Sequence, residues 1–437
     1  MQFPSTGDYQ SLDDWPLKRL LTLVGQQKPD VVVYVGDYLY RQGPCPANNT
    51  EGEDCVAING PIRHFNDTDL NGTVANFLPG NWGDNLYGWW ADFIYPALDM
   101  LKAAPMIAIR GNHETCVRAG GGYFALMSPE PYPQDAPAGT YCKDYVEPFA
   151  VTFEHEQFLV NDDSIINPKD KGIDHFVFVN GSCPSRPGVG ESPIVAVPQS
   201  RFTAENPTQS KESIDKDLAW YSQAMVVLRN LSLAYDTNFY VSHRPIFAIA
   251  CNDTEIATLD WTIQQSLQPH TLDRVSAAVG GHMHWLEALT FVNQSLPSQI
   301  VVGHGGTKHI PNYVNQDAIP GIELVVGRDG IYRGVVESGI TSSDKFGFGL
   351  MERDDKGDYS VKFLGLDTDT SELVELAYGM TIPKGPRVKN IDASVPRPPV
   401  DGGEGDTTSS SGVALGHPLF MMLATTATVL AGCTLLS

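Results

Sequence analysis

The chain has 437 residues, of which 52 are acidic and 29 basic, so its formal net charge is −23. A surface this acidic repels nucleic-acid phosphates, and the charge therefore argues against a non-specific DNA- or RNA-binding protein. We expect no nucleic-acid partner. Hydrophobic residues make up 42% of the chain and charged residues 19%, as in a globular protein that buries a large core.

Apolar periodicity predicts strands and helices in alternation along the chain. Predicted helices occupy residues 17–24 and 217–230, and a mostly helical stretch with a proline break covers residues 89–101. Continuous apolar runs predict buried strands at 31–35, 106–109, 175–179, 238–241, 275–279 and 299–302, with further strands near 321–326 and 346–351. This alternation indicates an α/β sandwich.

Short polar clusters follow four of these strands directly. They are GDYLYR at 36–41, GNHE at 111–114, SHRP at 242–245 and GGHMH at 280–284. Ligand sites of open α/β sheets lie at the carboxyl ends of strands, so loops that are distant in sequence are expected to converge there. A single histidine after a strand is more often a packed or surface residue, and the prediction of a site therefore depends on all four clusters together.

The four clusters offer oxygen and imidazole ligands without a thiolate, a set that favours Zn, Mn, Fe or Ni. Asp37 is the candidate bridge, because one carboxylate can offer an oxygen to each of two metal ions. His282 and His284 are two residues apart and can face different metals. Two ions about 3.5–4 Å apart would clamp the attacking and leaving oxygens of a displacement at phosphorus. Bound cations also make a phosphate substrate compatible with an acidic chain.

In this order, the patterns GDxxY, GNHE, SHRP and GHxH resemble the calcineurin-like metallophosphoesterase superfamily, over roughly residues 1–370. The resemblance implies an α/β, four-layer sandwich with two central mixed β-sheets flanked by helices. It also implies two metal ions, most simply Fe with Zn or Mn. The implied ligands are Asp37 as the bridge, Asn112, His243 and His282 at one metal, and His284 at the other.

Tyr40, three residues after Asp37, resembles the tyrosinate ligand of the purple acid phosphatase branch. A phenol needs a strong Lewis acid to ionise near neutral pH, so this match indicates ferric iron. The alternative is an ordinary aromatic residue beside the site. The GHGG loop at 303–306 resembles the closing glycine loop of the same branch, which makes His304 a candidate substrate contact.

The resemblance implies hydrolysis of a phosphate ester by a metal-bound hydroxide. His113 matches the family's histidine that is not a ligand, and we expect it to stabilise phosphate charge and to protonate the leaving alkoxide. Arg244 is a further candidate contact for the phosphate, although an arginine before a proline is as often structural. The substrate is thus predicted to be phosphorylated, and its identity is left open.

Two alternatives to a phosphatase stay open. One is a phosphodiesterase on the same scaffold, against which Tyr40 favours monoesters. The other is a catalytically impaired surface binding module, because the family's first motif, an Asp behind an apolar strand, has no good match upstream of Asp37. Asp8 is the one candidate, and residues 1–6 cannot form a buried strand. We therefore expect the chain to begin after that motif and the first metal site to be incomplete.

Composition divides the chain into three parts. Residues 1–385 form the phosphoesterase domain, and residues 386–411 form a disordered Pro/Gly/Ser linker. The hydrophobic segment at 412–437 resembles a GPI-attachment signal, with Ser411 as the candidate lipidation site. The alternative is a retained membrane anchor, because the apolar run is just long enough to span. Either prediction places the protein outside the cell or at its surface, in contact with a membrane.

Cysteines and glycosylation motifs agree with that location. Apart from Cys433 in the apolar tail, the cysteines are even in number and allow full disulfide pairing. The candidate pairs are Cys45–Cys55, Cys116–Cys142 and Cys183–Cys251, with buried thiols as the alternative. Several Asn-x-Ser/Thr motifs favour a secreted glycoprotein. They begin at Asn48, Asn66, Asn71, Asn180, Asn230, Asn252 and Asn293.

Overall fold

The structure of the protein is a computed structural model. It describes residues 16–39, 84, 86–116, 119–136, 140–143, 145–161, 177–179, 194–196, 211–251, 256–258, 261–306, 309, 314, 316–327, 330–342, 344–367, 369–385 and 421–424.

Six α-helices lie within these residues. They are α1 (Leu17–Gln27), α2 (Leu86–Trp89), α3 (Tyr95–Ala103), α4 (Gly120–Leu126), α5 (Lys211–Ser232) and α6 (Trp261–Ser266). A π-helical turn, Trp90–Ile94, joins α2 to α3, and short 3-10 helices cover Asn112–Glu114, Val292–Gln294 and Gln316–Ala318. In α1 the apolar residues Leu20, Leu21 and Val24 share a buried face. That spacing is the helical period that the sequence showed.

The described strands, in chain order, are β1 (Val31–Tyr34), β2 (Met106–Ala108), β3 (Phe149–Thr152), β4 (Glu156–Asn161), β5 (Val177–Val179), β6 (Ile194–Ala196), β7 (Thr237–Ser242), β8 (Ala250–Cys251), β9 (Ile256–Thr258), β10 (Val275–Gly280), β11 (Leu286–Phe291), β12 (Ser298–Val302), β13 (Glu323–Val326), β14 (Tyr332–Ser342), β15 (Gly347–Arg353), β16 (Tyr359–Asp367), β17 (Glu372–Ile382) and β18 (Met421–Ala424).

Two large mixed sheets form the centre of the molecule. The six-stranded sheet has the order β17-β16-β15-β18-β1-β2, and the nine-stranded sheet has the order β3-β4-β7-β10-β12-β11-β14-β13-β6. A small sheet contains β5, β9 and β8. The pairs β1/β2, β4/β7, β7/β10 and β10/β12 are parallel, so their carboxyl ends reach the same edge of each sheet.

Three apolar clusters show how the layers pack. The central cluster contains residues of both large sheets, among them Val33 of β1 and Val241 of β7, so the sheets face each other across it. A second cluster joins the six-stranded sheet to α1 and α3, and a third joins the nine-stranded sheet to α5 and α6. The molecule is therefore layered helix, sheet, sheet, helix, and the predicted four-layer α/β fold is confirmed.

Strand β18 is part of the hydrophobic segment that the sequence predicts to be an attachment signal or anchor. Its backbone pairs in parallel with β1, Val31 opposite Met421, and antiparallel with β15, Met351 opposite Met421. In the six-stranded sheet, β18 thus separates β1 from β15. Among the described helices, none is long and apolar enough to cross a membrane. The attachment signal and the anchor stay predictions.

Shortening the chain tests the position of β18. A chain that ends at Ser411 lacks β18 and leaves the facing edges of β1 and β15, both buried, without hydrogen-bond partners. Each buried polar group left unpaired costs about 1–3 kcal/mol, so we expect the free energy of unfolding to fall by at least about 3 kcal/mol. Urea denaturation measures this change. The matched control ends at Ala424 and keeps β18. Equal stability of the two chains would show that β18 does not hold the sheet together.

Candidate functional site

The loops after β1, β2, β7 and β10 meet between the carboxyl ends of the two large sheets. Within the nine-stranded sheet, Gly281 N donates to His243 O at 2.7 Å, and between the two sheets His243 Nδ1 lies 2.6 Å from Val35 O. The polar clusters that the sequence places after four strands are therefore neighbours in the fold. Their side chains converge although they come from residues up to 245 positions apart in the chain (282 − 37).

Four of the predicted ligands come together in this site. His243 Nε2 lies 2.8 Å from Asn112 Oδ1, 3.1 Å from His282 Nδ1 and 3.3 Å from Asp37 Oδ2. His282 Nδ1 lies 3.0 Å from Asn112 Oδ1. Ligands with bonds of about 2.0–2.2 Å to one metal ion lie about 3 Å apart, so the four atoms have the spacing of neighbouring ligands. The residues present therefore fit a metal ion.

The tautomer of His243 also fits a metal ligand. Its ring is fully buried, and its Nδ1 faces the carbonyl oxygen of Val35 at 2.6 Å. A carbonyl only accepts hydrogen bonds, so Nδ1 carries a proton, and in the neutral ring that binds a metal the lone pair is on Nε2. A hydrogen bond from the second ring nitrogen to a carbonyl is the usual support of a ligating histidine. Nε2 is the atom that faces Asn112, His282 and Asp37.

Charge at the site is concentrated on Asp37. Burial alone would raise the pKa of its carboxyl, but the neighbouring imidazoles, His243 foremost, outweigh burial and hold that pKa well below its ordinary value. Its Oδ1 accepts a hydrogen bond from the backbone N–H of His113 at 3.0 Å, while Oδ2 faces His243. An ionised carboxylate with an oxygen within 4.8 Å of ring nitrogens of His243 and His282 is suited to bind a cation.

The backbone at two of these residues is held in the left-handed region. Asp37 has a φ of 62°, and His282 also has a φ of 62°. Residues in this region carry a local strain that the surrounding structure must support. Part of the support is close packing at Gly36 and Gly111, since a Cβ at Gly36 would lie 2.7 Å from Gly111 N.

Glu114 supports the Asp37 loop, a role that the sequence motifs did not predict. Its side chain is fully buried, and its two oxygens accept four backbone hydrogen bonds. Oε2 accepts from Asp37 N at 2.9 Å and Gly111 N at 3.0 Å, and Oε1 accepts from Tyr38 N at 2.7 Å and Leu39 N at 3.1 Å. Burial raises the pKa of this carboxyl to about 7, and the Asp37 carboxylate adds to the rise. A bound cation would favour its ionised form.

Tyr38 makes a second connection between the first two loops. Its hydroxyl donates to Ile109 O at 2.7 Å and accepts from Ile109 N at 3.0 Å. The residue after Asp37 is thereby tied to the strand end that leads to Asn112. The sequence carries no signal for these roles of Glu114 and Tyr38, because their partners are backbone groups of residues distant in the chain.

The other predicted site residues that the structure describes do not belong to the group of four converging ligands. His113 and His284 are half-buried, and His284 does not belong to the described group of Asp37, His243 and His282 whose ligand atoms lie within 4.8 Å of one another. Arg244 is buried. His304 is fully buried, and burial lowers the pKa of its ring to about 3. Their roles stay predictions. Tyr40, Asp8 and Ser411 lie outside the described residues.

One predicted disulfide is confirmed. Cys116 and Cys142 are bonded, with their Cα atoms 5.7 Å apart. Cys251 belongs to β8, and the other partners proposed from sequence, Cys45, Cys55 and Cys183, lie outside the described residues.

The comparison with protein families agrees with this site. The model of the calcineurin-like phosphoesterase family matches residues 6–286, a range that contains all four converging residues. Among solved structures, the chain is similar to GAP50, the anchor in the inner membrane complex of Plasmodium, with 12% sequence identity and a TM-score of 0.39. That similarity covers 87% of this chain and 85% of the other. Among curated protein sequences, none matches the chain.

Proposed function

Because the chain belongs to the calcineurin-like phosphoesterase family, we propose that it is a metal-dependent phosphatase that hydrolyses phosphate monoesters. The observation that carries the proposal is the convergence of Asp37, His243 and His282, whose ligand atoms lie within 4.8 Å of one another. Asn112 Oδ1 lies within 3.0 Å of two of these atoms. A set of carboxylate, amide and imidazole groups suits the metals that hydrolytic enzymes use.

Each residue of the site has a distinct part in this function. Asp37, Asn112, His243 and His282 would hold the metal. When bound, the metal supplies positive charge that stabilises a phosphate ester as it reacts with water. His113 would donate a proton to the leaving oxygen, because it is half-buried and its backbone is fixed by the hydrogen bond to Asp37.

Finer features of the proposal come from the sequence motifs. Tyr40 and His284 would bind a second metal that shares Asp37, with iron paired with zinc or manganese, as in the purple acid phosphatase branch. Arg244 and His304 would contact the substrate. The cysteines, the glycosylation motifs and the apolar segment at 412–437 support a secreted or cell-surface enzyme that is attached to a membrane. A phosphodiesterase and a binding module without catalysis are the alternatives to test.

Metal content and hydrolysis can be measured on the same samples. We expect the wild-type chain to bind at least one metal ion by elemental analysis, and His243→Asn to lose it. Asparagine removes the imidazole and its Nε2, yet its amide nitrogen is attached to Cγ as Nδ1 is and can still donate to Val35 O, so the fold should persist. The matched control is His155→Asn, an exposed histidine whose partner is the neighbouring Glu154.

Two substrates then separate the alternatives. A phosphatase should hydrolyse p-nitrophenyl phosphate faster than bis(p-nitrophenyl) phosphate, and lose this activity when a chelator removes the metal. Faster hydrolysis of the bis ester would indicate a phosphodiesterase. Metal binding without hydrolysis of either ester would contradict catalysis and favour a binding module.

A further inference from the structure

One short segment carries three residues of the site. Asn112, His113 and Glu114 form a single 3-10 turn between Arg110 and Cys116. Asn112 faces His243 and His282, the His113 N–H is bonded to Asp37, and Glu114 accepts the N–H groups of the Asp37 loop. A shift of this segment would therefore move several groups of the site together.

Both ends of the segment are attached to the same two consecutive residues. Arg110 is fully buried, and its Nη1 donates to the carbonyl oxygen of Lys143 at 2.6 Å. Cys116 is joined to Cys142 by the disulfide. Because Cys142 and Lys143 are adjacent, this dipeptide holds the segment on each side of the site residues. We call Arg110, Cys116, Cys142 and Lys143 the clamp.

The clamp rests on a packed support. The guanidinium of Arg110 lies 5.0 Å above the ring of Phe124 in α4, and Tyr141, which precedes Cys142, packs edge-on against the same ring at 5.4 Å. A Cβ at Gly120 would lie 2.6 Å from Cys142 Sγ, so the start of α4 is in close contact with the disulfide. The clamp thus connects the site segment to a helix rather than to a free loop.

The disulfide is also the part of the clamp that chemistry can open. Cys116 and Cys142 are half-buried, so a small reductant can reach their sulfur atoms. A dithiol reductant would break the bond between the two sulfur atoms. The reductant gives two electrons and two protons to the disulfide, which becomes two cysteine thiols. The two sulfur atoms of the reductant then form a disulfide with each other.

We propose that the clamp positions the segment Asn112–Glu114 so that Asn112 can bind the metal and Glu114 can hold the Asp37 loop, and that reduction of the Cys116–Cys142 disulfide loosens the site without unfolding the protein. This inference rests on the proposed function for its effect on hydrolysis, but not for its effect on metal binding. Arg110 would hold one end of the segment after reduction, so the site should weaken rather than disappear.

The test compares the full wild-type chain, before and after reduction by dithiothreitol, with the double variant Cys116→Ser, Cys142→Ser, and the reductant is removed under nitrogen before the metal is added because its thiols bind zinc. Groups that orient metal ligands change metal affinity about 10–100-fold, so we expect reduction to raise the dissociation constant for Zn²⁺ about tenfold. At saturating metal, kcat for p-nitrophenyl phosphate should fall while KM changes less than about twofold. Reoxidation should restore both, and near-ultraviolet circular dichroism should show an intact fold.

The double variant separates the clamp from the remaining cysteines. It should already have the weaker metal affinity of the reduced wild type, and dithiothreitol should not change it further. Unchanged affinity and kcat in fully reduced wild type would overturn the proposal, and so would a loss that accompanies unfolding, since that indicates a purely structural disulfide. If no form of the protein hydrolyses phosphate esters, the proposed function fails while the metal affinity still decides whether the clamp exists.

Discussion

Replacement of Asp37 by asparagine is expected to abolish metal binding and to reduce hydrolysis more than about 100-fold, with little change in the fold. Residues that only orient ligands already cost about 10–100-fold when they are mutated, and Asp37 is itself the charged ligand. The substitution is well matched to the backbone, because asparagine tolerates the left-handed conformation that Asp37 adopts at a φ of 62°. The amide oxygen can still accept from His113 N, so the loop keeps its shape.

The measurement is metal content by elemental analysis together with hydrolysis of p-nitrophenyl phosphate. Asp355→Asn is the control, since Asp355 is an exposed residue in the turn between β15 and β16. We expect the control to bind metal and hydrolyse substrate as the wild type does. A folded Asp37→Asn protein that retains metal and activity would show that hydrolysis takes place at another site.

The strand-end clusters could be predicted from sequence because two simple rules apply to them. Continuous apolar runs identify strands that are buried on both faces, and loops at the carboxyl ends of parallel strands converge. Asp37, Asn112, His243 and His282 follow such strands and meet in the structure. Their separation along the chain did not matter, because the parallel strand pairs within the two mixed sheets bring these strand ends together.

Glu114 could not be assigned in this way. Its role depends on the N–H groups of Asp37, Tyr38 and Leu39, which lie 75–77 residues before it in the chain. Sequence patterns indicate which side chains can bind a metal, but not which backbone groups point at a neighbouring carboxylate. The left-handed conformation at Asp37 could not be predicted from the sequence either, because aspartate adopts it only where the surrounding contacts require it.

The apolar C-terminal segment shows a different limit. A short run of apolar residues has the same composition in a buried strand and in a membrane segment, and periodicity alone does not separate them. Met421–Ala424 pairs with β1 and β15 because the six-stranded sheet offers it two open edges. The sheet is assembled from residues far apart in the chain, so only the tertiary structure reveals that place.

Replacement of Glu114 by glutamine is expected to destabilise the protein by about 3 kcal/mol and to weaken metal binding. Both carboxylate oxygens of Glu114 accept two backbone N–H groups each. The glutamine amide would direct its own N–H₂ at two of these donors and leave them buried without an acceptor. Above its pKa of about 7 the Glu114 carboxyl is ionised in the metal-free protein, so the comparison is made at about pH 8. Lost hydrogen bonds to a charged group cost about 1.5–3 kcal/mol each, and relaxation of the loop recovers part of that loss.

Urea denaturation of the metal-free proteins measures the free energy of unfolding, and zinc titration measures the dissociation constant for zinc. Glu323→Gln is the matched control, since Glu323 is half-buried and pairs at 3.5 Å with the exposed Arg333, and surface ion pairs contribute about 0–1 kcal/mol. We expect Glu114→Gln to lose more stability and more zinc affinity than Glu323→Gln, because the wild-type Glu114 carboxylate is buried and holds the Asp37 backbone directly. If the two variants are equally stable and bind zinc equally well, the four hydrogen bonds of Glu114 do not hold the metal loop in place.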